Sequence, residues 1–114
     1  MFQVIKRDGK TADFTLNRIS DAIVKAFDAT QMQYNRDIID LLSLRVTADF
    51  QEKVKDGRIH VEDIQDSVEK VLEQAGYAEA AKAYILYRKQ REKMRAMKST
   101  ILDYKEVVNS YVKI

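Results

Sequence analysis

The chain has 114 residues, of which 46% are apolar and 33% charged, and its 20 basic and 18 acidic residues leave a net charge of +2. This composition is typical of one folded domain, and the near balance of charge gives no reason to expect general affinity for nucleic acid or membranes. Without cysteine the chain has no disulfide, thiolate metal site or cysteine nucleophile, and its three glycines form neither a Walker nor a Rossmann loop. No apolar run is long enough to span a bilayer and residues 1–10 lack a signal-peptide pattern, so we expect a cytoplasmic protein.

A β-hairpin is predicted at the start of the chain. Residues 2–7 have the composition of a strand, Asp8-Gly9 is typical of a two-residue type I′ turn, and residues 10–14 would form the returning strand. Alternation along the first strand would place Lys6 and Arg7 on opposite faces. A two-stranded hairpin is marginally stable alone, so we expect it to pack on the rest of the domain.

Four main helices are predicted after the hairpin. The first starts after Thr15 as N-cap, the second covers residues 36–54 with Gly57 just beyond its end, and the third starts near Val61. The fourth runs from about Tyr77 to residue 97, and residues 100–114 would form a further helical stretch. Residues 58–60 would add a third short strand. The predicted fold class is therefore α+β in a single domain.

The sequence contains no pattern typical of a catalytic site. Its single histidine, His60, lies at a predicted strand–helix junction, where a capping or packing role is commoner than catalysis. The acidic residues fall at spacings that support solvated helix faces, and no nucleophile is paired with a base. We expect a non-enzymatic chain with no catalytic residue and no metal site.

Basic residues offer a candidate anion site, although ordinary solvated charges are the commoner explanation. Lys6 and Arg7 precede the tight turn, and Arg18 falls in the first turn of the first helix, where a cation is unfavourable unless an anion binds nearby. The fourth helix is basic along its length, with Lys82, Arg88, Lys89, Arg91, Lys93, Arg95 and Lys98. Spacing alone does not show that the hairpin and the fourth helix converge.

Three tyrosines share roughly one face of the fourth helix. Tyr77, Tyr84 and Tyr87 would either stack on a nucleobase or pack into the core with their hydroxyls at its rim. Packing into the core is the commoner case for tyrosines at helical spacing, and the sequence leaves both open.

Two groups of motifs resemble the ATP-cone family. The first is Val-Ile-Lys-Arg-Asp-Gly at residues 4–9, followed by Asn-Arg-Ile at residues 17–19. The second is Ile-His-Val-Glu-Asp-Ile-Gln-Asp at residues 59–66, followed by Ala-Lys-Ala-Tyr-Ile-Leu-Tyr-Arg at residues 81–88. The motifs occur in the family's order and cover about residues 2–92. The resemblance implies a four-helix bundle capped by a small three-stranded sheet, which agrees with the elements predicted above.

The resemblance also implies a function. ATP cones are allosteric modules, typically at the N-terminus of ribonucleotide reductases, where ATP keeps the enzyme active and dATP inhibits it. We therefore expect ATP or dATP as ligand, with Mg²⁺, a catalytic domain of the same polypeptide, and a homo-oligomeric enzyme. Residues 88–108 and Tyr111 resemble the segment that leaves the cone in anaerobic, class III ribonucleoside-triphosphate reductases. Residues 1–97 would then be the cone, and residues 98–114 a helical linker toward a catalytic domain.

The nucleotide-binding residues that the resemblance implies lie on the hairpin, the start of the first helix, the third helix and the fourth helix. They are Val4, Lys6, Arg7, Arg18, Ile19, Val61, Ile64, Gln65, Lys82, Arg88 and Lys89. The resemblance implies that Lys6 and Arg7 would face phosphates or ribose. Either Lys82 or Lys89, together with Arg88, would reach the phosphates from the fourth helix. Arg18 would contact phosphate, Ile19 the base, and the third-helix residues the base or sugar. Some relatives carry an acidic residue after the turn where this chain has Ala12 followed by Asp13.

Two functions from other classes remain open. A nucleic-acid-binding module could use the basic face of the fourth helix, with binding that falls steeply with salt and ignores nucleotide identity. The net charge of +2 argues against direct nucleic-acid binding. A protein-interaction domain would instead show no stabilisation by any nucleotide.

Overall fold

The computed structural model describes the backbone of residues 2–112 and the side chains of residues 2–98. The elements follow the order β1 (Gln3–Ile5), β2 (Thr11–Asp13), α1 (Leu16–Thr30), α2 (Arg36–Phe50), a short 3₁₀ helix (Gln51–Lys53), β3 (Arg58–His60), α3 (Val61–Gln74) and α4 (Ala78–Val112). The predicted α+β fold, with four main helices and a small three-stranded sheet, is confirmed over these residues.

The sheet has the order β2-β1-β3, so that β1 is the central strand. It pairs antiparallel with β2 in the register Val4 to Ala12 and parallel with β3 in the register Val4 to Ile59. The N–H of Gln3 also donates to the Gly57 carbonyl at 2.8 Å. Because α3 begins directly after β3, this pairing holds the hairpin against the start of α3.

The hairpin turn is not the predicted type I′ turn. Gly9 has a φ of 84°, but Asp8 does not have a positive φ, and the Gly9 N–H donates to the Lys6 carbonyl at 2.9 Å. With Lys6 N–H donating to the Lys10 carbonyl at 2.8 Å, this is a three-residue loop closed by a left-handed glycine. The strand therefore ends at Ile5. Lys6 and Arg7 follow the strand, where side chains no longer alternate between faces, so the expectation that they point to opposite faces is wrong.

A second Asp-Gly pair forms the tight turn instead. Asp56 and Gly57 have φ values of 54° and 71°, and Lys55 and Arg58 exchange two backbone hydrogen bonds of 2.9 and 3.0 Å. Positive φ at both central positions is the requirement of a type I′ turn. The sequence predicts Gly57 just beyond a second helix that ends at residue 54, but α2 ends at Phe50, the 3₁₀ helix ends at Lys53, and Gly57 belongs to the turn that leads into β3.

The core lies between the four helices. Its largest fully buried side chains include Phe27 of α1, Phe50 of α2, Ile59 of β3 and Leu72 of α3. Each helix thus contributes one apolar stripe at helical spacing, which is why the sequence periodicity finds them. Ala80 and Ala81 bring α4 close to the other helices because their side chains are small.

One buried polar contact joins α1 to α2. The Ser43 hydroxyl donates to the Ile39 carbonyl at 2.8 Å and lies 2.8 Å from the Ser20 hydroxyl, which can then act as donor to it. Both serines are buried, and the shared hydrogen bonds satisfy polar groups that would be costly to bury alone.

Three aromatic rings attach the sheet to α2. Phe2 and Phe14 stack with ring centroids 4.4 Å apart, and each meets the edge of Phe50 at 5.6 and 5.7 Å. Edge-to-face and offset geometries are the favoured ones for aromatic pairs. Phe50 is fully buried, so the sheet rests on a ring that the bundle itself holds in place.

The fourth helix is longer than predicted. It continues without interruption from Ala78 to Val112, so the predicted end near residue 97 is wrong, whereas the predicted helical character of the following stretch is confirmed as far as Val112. Residues 113 and 114, the last two of that stretch, lie outside the described residues. Every residue from Lys89 to Lys98 is exposed. None of the described helices combines the length and apolar character needed to cross a bilayer.

Phe50→Ala should reduce the free energy of unfolding by about 3–5 kcal/mol, because it removes a buried ring and the two edge contacts that support the sheet. Leu44→Ala, on the exposed side of the same helix, should change it by less than about 0.5 kcal/mol. Urea unfolding followed by circular dichroism measures both. Equal losses in the two variants would show that Phe50 does not anchor the sheet.

Candidate nucleotide-binding site

A cavity of about 540 Å³ lies where the hairpin, the start of α1, α3 and the middle of α4 meet. The hairpin and α1 contribute Val4, Lys6, Arg7, Asp8, Ala12, Asp13, Phe14, Thr15, Arg18, Ile19 and Ala22 to its lining. The helices α3 and α4 contribute Val61, Ile64, Gln65, Val68, Tyr84, Tyr87, Arg88, Arg91 and Arg95. The lining thus combines apolar side chains with charged and uncharged polar ones.

Nine of the eleven residues that the resemblance implies line this cavity. They are Val4, Lys6, Arg7, Arg18, Ile19, Val61, Ile64, Gln65 and Arg88. The structure does not bring Lys82 and Lys89 to it. Lys82 pairs with Glu79 one turn away at 3.6 Å, and Lys89 is exposed. At about 100° per residue, both lie on nearly the opposite side of α4 from Tyr84.

The cavity has an excess of positive charge. Its lining includes six cationic residues but only two acidic ones, Asp8 and Asp13. Asp8 is already engaged in the turn, where its Oδ1 accepts the Lys10 N–H at 2.9 Å. Among residues 2–98, Lys6, Arg18 and Arg95 take part in no ion pair. Converging cations without counter-ions repel one another, so the cavity favours an anionic ligand.

The start of α1 adds to this preference. Thr15 occupies the predicted N-cap position, but its side chain makes no capping hydrogen bond, and the first turn contains no acidic residue. The positive end of the helix dipole and the Arg18 side chain therefore act on the same part of the cavity. Leu16, the first residue of this helix, is 38% exposed.

Arg7 joins the hairpin to both neighbouring helices. Its guanidinium lies 3.6 Å from the Glu62 carboxylate of α3 and 3.4 Å from the Glu92 carboxylate of α4, and it donates to the Gln65 Oε1 at 3.3 Å. The Arg7 side chain is 27% exposed. It therefore faces the cavity while already neutralised by groups of the protein.

Arg88 is held more tightly than Arg7. One nitrogen of its guanidinium, Nη1, donates to Asp66 at 2.9 Å and to Glu69 at 2.8 Å, both on α3. Burial opposes its charged form, but the hydrogen bonds and charges of Glu69 and Asp66 outweigh burial, and the pKa of Arg88 is raised. Arg88 thus connects α3 to α4 at the cavity wall.

The tyrosines of α4 divide between the core and the cavity. Tyr77 packs edge-on against Phe27 with centroids 5.0 Å apart, as expected for a core residue. Tyr84 and Tyr87 line the cavity. Burial raises the pKa of Tyr84 above the usual tyrosine value, so its hydroxyl stays protonated at neutral pH.

The Tyr87 ring is surrounded by cations. The Lys25 Nζ and the Arg91 Cζ lie 5.7 and 5.8 Å from its centroid, within the range of cation–π interactions. Arg91 is therefore positioned by the ring at the cavity edge.

No group of three or more histidine, cysteine or acidic side chains suited to a metal ion occurs in the described part of the chain.

These features suit a ligand with an apolar planar part and a strongly anionic part. The comparison with protein-family models matches residues 2–93 to the ATP cone domain. The chain belongs to the ATP-cone family.

Known proteins similar to this cone include ribonucleotide reductases of several kinds. The alpha subunit of a Chlamydia pneumoniae ribonucleoside-diphosphate reductase is 43% identical over 102 residues, covering 83% of this chain and 10% of that protein. An anaerobic ribonucleoside-triphosphate reductase of Haemophilus influenzae is 36% identical over 88% of this chain and 14% of its own length. A vitamin B12-dependent ribonucleoside-diphosphate reductase of Thermoplasma acidophilum is 37% identical over 84% and 13%. The cone thus spans only a small part of each relative.

Two cations of the cone's cavity were not among the predicted binding residues. Arg91 and Arg95 follow Arg88 at intervals of three and four residues and so lie on the same face of α4 as Tyr84. That periodicity was a usable signal, because Tyr84 and Arg88 already marked the face. Asp13 and Thr15 were also missed, since only the packing of the hairpin over α1 brings them to the cavity.

Arg88→Met should reduce the free energy of unfolding of the cone by about 1–2 kcal/mol, because it leaves Asp66 and Glu69 near each other without their shared cation. Lys89→Met, the neighbouring exposed position, should change it by less than about 0.5 kcal/mol. Urea unfolding without ligand measures both effects. A loss no larger in Arg88→Met than in Lys89→Met would rule out a structural role for the Arg88 contacts.

Proposed function

We propose that this cone is an allosteric nucleotide sensor of a ribonucleotide reductase, whose cavity binds ATP as activator or dATP as inhibitor. The observation that carries the proposal is the convergence in one cavity of cations from three elements. Lys6 comes from the hairpin, Arg18 from α1 and Arg95 from α4. Polyphosphate recognition without a glycine-rich loop requires such convergent lysine and arginine donors.

The apolar wall supplies a place for the base. Ile19, Val61 and Ile64 lie on the core side of the cavity, and Gln65 adds an amide that could donate to or accept from a sugar or base. Phosphates would lie toward the cationic side chains of the lining, Lys6, Arg18, Arg91 and Arg95. We expect the phosphates to contact these cations and not the apolar side chains, because a phosphate buried against apolar groups would lose its hydration without gaining a counter-ion.

Mg²⁺ would enter together with the nucleotide. Magnesium is usually held by one or two carboxylates plus substrate phosphates and water rather than by a complete protein cage. Asp13 is the cavity carboxylate that makes no side-chain hydrogen bond or ion pair within residues 2–98. It could meet either the ion or a ribose hydroxyl, although it stands one position after Ala12, where some relatives carry the acidic residue.

Discrimination between ATP and dATP must arise away from the phosphates, which the two ligands share. They differ only at the ribose 2′ position, so a group near the sugar must respond to one hydroxyl, or the base must bind in a different pose. A ligand shifts a conformational equilibrium only through its different affinities for the two states. We therefore propose that the output is a change in helix packing that alters the association of whole reductase subunits.

The relatives do not point to a single class of reductase. Relatives include diphosphate, B12-dependent and anaerobic triphosphate reductases, and one of the anaerobic kind is among them. The anaerobic class predicted from residues 88–111 stays a prediction, as does the boundary at residues 97 and 98, which falls inside α4.

The distribution of charge on α4 favours a nucleotide over nucleic acid. Arg88, Arg91 and Arg95 face the cavity, whereas Lys82 and Lys89 lie on the other side of the helix. The basic residues that share one face of α4, Arg88, Arg91 and Arg95, thus line a cavity, as a small anionic ligand requires. A nucleic-acid-binding or protein-interaction module remains the alternative, and the following experiment distinguishes it.

ATP with Mg²⁺ should raise the melting temperature of the 114-residue chain by on the order of 10 °C, since ligand at about 100 times its Kd adds about 2.7 kcal/mol of stability. We expect a similar shift with dATP, a smaller one with GTP, and little dependence on added RNA. Thermal unfolding at two salt concentrations measures this. No shift with any nucleotide would favour an interaction domain, and RNA binding that falls steeply with salt would favour the nucleic-acid alternative.

Matched variants locate the site in that same assay. Lys6→Ala and Arg95→Ala should each lose most of the ATP shift, because each removes one phosphate contact. Lys93→Ala, an exposed position on α4 outside the cavity lining, should keep it.

The parent reductase should change its oligomeric state between ATP and dATP. We expect mass photometry of the full-length enzyme to give different oligomer distributions with the two ligands, and activity to fall with dATP. The Lys6→Ala enzyme should show the same distribution and activity with both ligands. Identical distributions and activities for the unmodified enzyme would refute the sensor output, even if the isolated chain binds both nucleotides.

A further inference from the structure

Arg7 is a cation of the cavity lining that the protein itself already neutralises. Its guanidinium contacts Glu62 at 3.6 Å and Glu92 at 3.4 Å, while Lys6, next to it in the turn, has no ion pair within the described side chains. A phosphate that binds Arg7 therefore competes with these carboxylates for the same guanidinium. Arginine binds both anions through the same planar set of N–H donors, so the two compete directly.

We infer that Glu92 sets the affinity of the cavity for polyphosphate by competing with the ligand for Arg7. The inference rests on the proposed function and adds to it an exchange of counter-ions. When the ligand is absent, Arg7 is held by Glu62 and Glu92. When a triphosphate enters, its oxygens take the place of the Glu92 carboxylate, which turns outward into solvent.

Glu92 is the carboxylate that can leave. Its side chain is 63% exposed, against 41% for Glu62, and it lies in the stretch of α4 from Lys89 to Lys98 in which every residue is exposed. Leaving therefore costs it little desolvation or packing. Glu62 is in the first turn of α3, where the helix dipole stabilises a carboxylate whether or not Arg7 is bound.

Arg88 shows the contrasting case. Its two carboxylates are at 2.8 and 2.9 Å and its side chain is only 19% exposed, so exchange there would break two short contacts and leave the partly buried Glu69 without its cation. The same cavity thus contains one arginine whose partners are fixed and one whose partner can be exchanged. Two further arginines of α4 lie near Glu92 in sequence. Arg91 precedes it directly, Arg95 follows three residues later, and both line the cavity.

The effect on affinity is limited by the strength of an exposed ion pair. Pairs of this exposure are weak, and removing the competitor should tighten polyphosphate binding by roughly two- to five-fold. Glu92→Gln in the 114-residue chain should show this gain for both ATP and tripolyphosphate in isothermal titration calorimetry at low salt. The gain should shrink as salt is added, because added ions screen the Arg7–Glu92 attraction.

Glu79→Gln is the matched control. Glu79 lies on the same helix, is 70% exposed and pairs with Lys82 at 3.6 Å outside the cavity, so its substitution changes net charge by the same amount. We expect its Kd for both ligands to match that of the unmodified chain. An equal gain in Glu79→Gln and Glu92→Gln, or no gain in Glu92→Gln, would overturn the inference.

A double-mutant cycle separates exchange at Arg7 from a general charge effect. Exchange predicts that Glu92→Gln gives no gain in an Arg7→Gln background, because the contested group is gone. A gain that persists without Arg7 would overturn the inference. Failure of the proposed function is distinguishable. If tripolyphosphate binds as well as ATP, the proposed nucleotide sensor is refuted, but the cycle still tests the exchange at Arg7. If neither ligand binds, both proposals are overturned.

Discussion

The parallel pairing of β1 with β3 is the constraint on which the rest of the structure depends. It places Val4 beside Ile59 and brings the first residues of the chain to a segment more than fifty positions away. Parallel strands need a long connection, and here α1 and α2 provide it. The hairpin therefore lies over the start of α3, and its turn reaches α4. Without this pairing, Lys6 and Arg7 would have no fixed relation to the helices.

Electrostatic contacts further fix the position of the hairpin relative to α3 and α4. Arg7 connects the hairpin to α3 and α4, and Arg88 connects α3 to α4. The two arginines differ in burial and in the closeness of their partners. Arg88 therefore holds α3 and α4 together, whereas Arg7 is available to a ligand. Lys6, Arg18 and Arg95 remain without ion pairs in residues 2–98. The cavity lining thus combines cations that have carboxylate partners, cations that have none within these residues, and apolar side chains.

Periodicity predicted the helices and their buried faces because each helix buries a single stripe. Local turn signals were less informative. Asp-Gly occurs twice, but only Asp56-Gly57 forms the type I′ turn, while Gly9 closes a longer loop. Both dipeptides satisfy the same local preference, and the loop length depends on where the strands pair. The end of α4 was also missed, because an exposed helix without glycine or proline carries no stop signal.

The site was predictable where family motifs marked it and less so where packing determines it. Resemblance alone suggested Lys82 and Lys89 as cations for a phosphate, yet the rotation of α4 turns both away from the cavity and brings Arg91 and Arg95 to it. That rotation is fixed by Ala80, Ala81 and Tyr84, which are buried against the bundle. The counter-ions of Arg7 could not be predicted at all, because they come from two helices whose distance from the turn is a property of the fold.

The uninterrupted α4 has a mechanical consequence. Arg88 contacts the rest of the domain, and the helix continues for 24 more residues to Val112. At about 1.5 Å per residue this arm is about 36 Å long. A rigid rod of that length that tilts by roughly 5° about Arg88 moves its far end by roughly 3 Å. Small changes in how the cavity holds α4 are thus converted into displacements comparable to the diameter of a water molecule, far from any ligand.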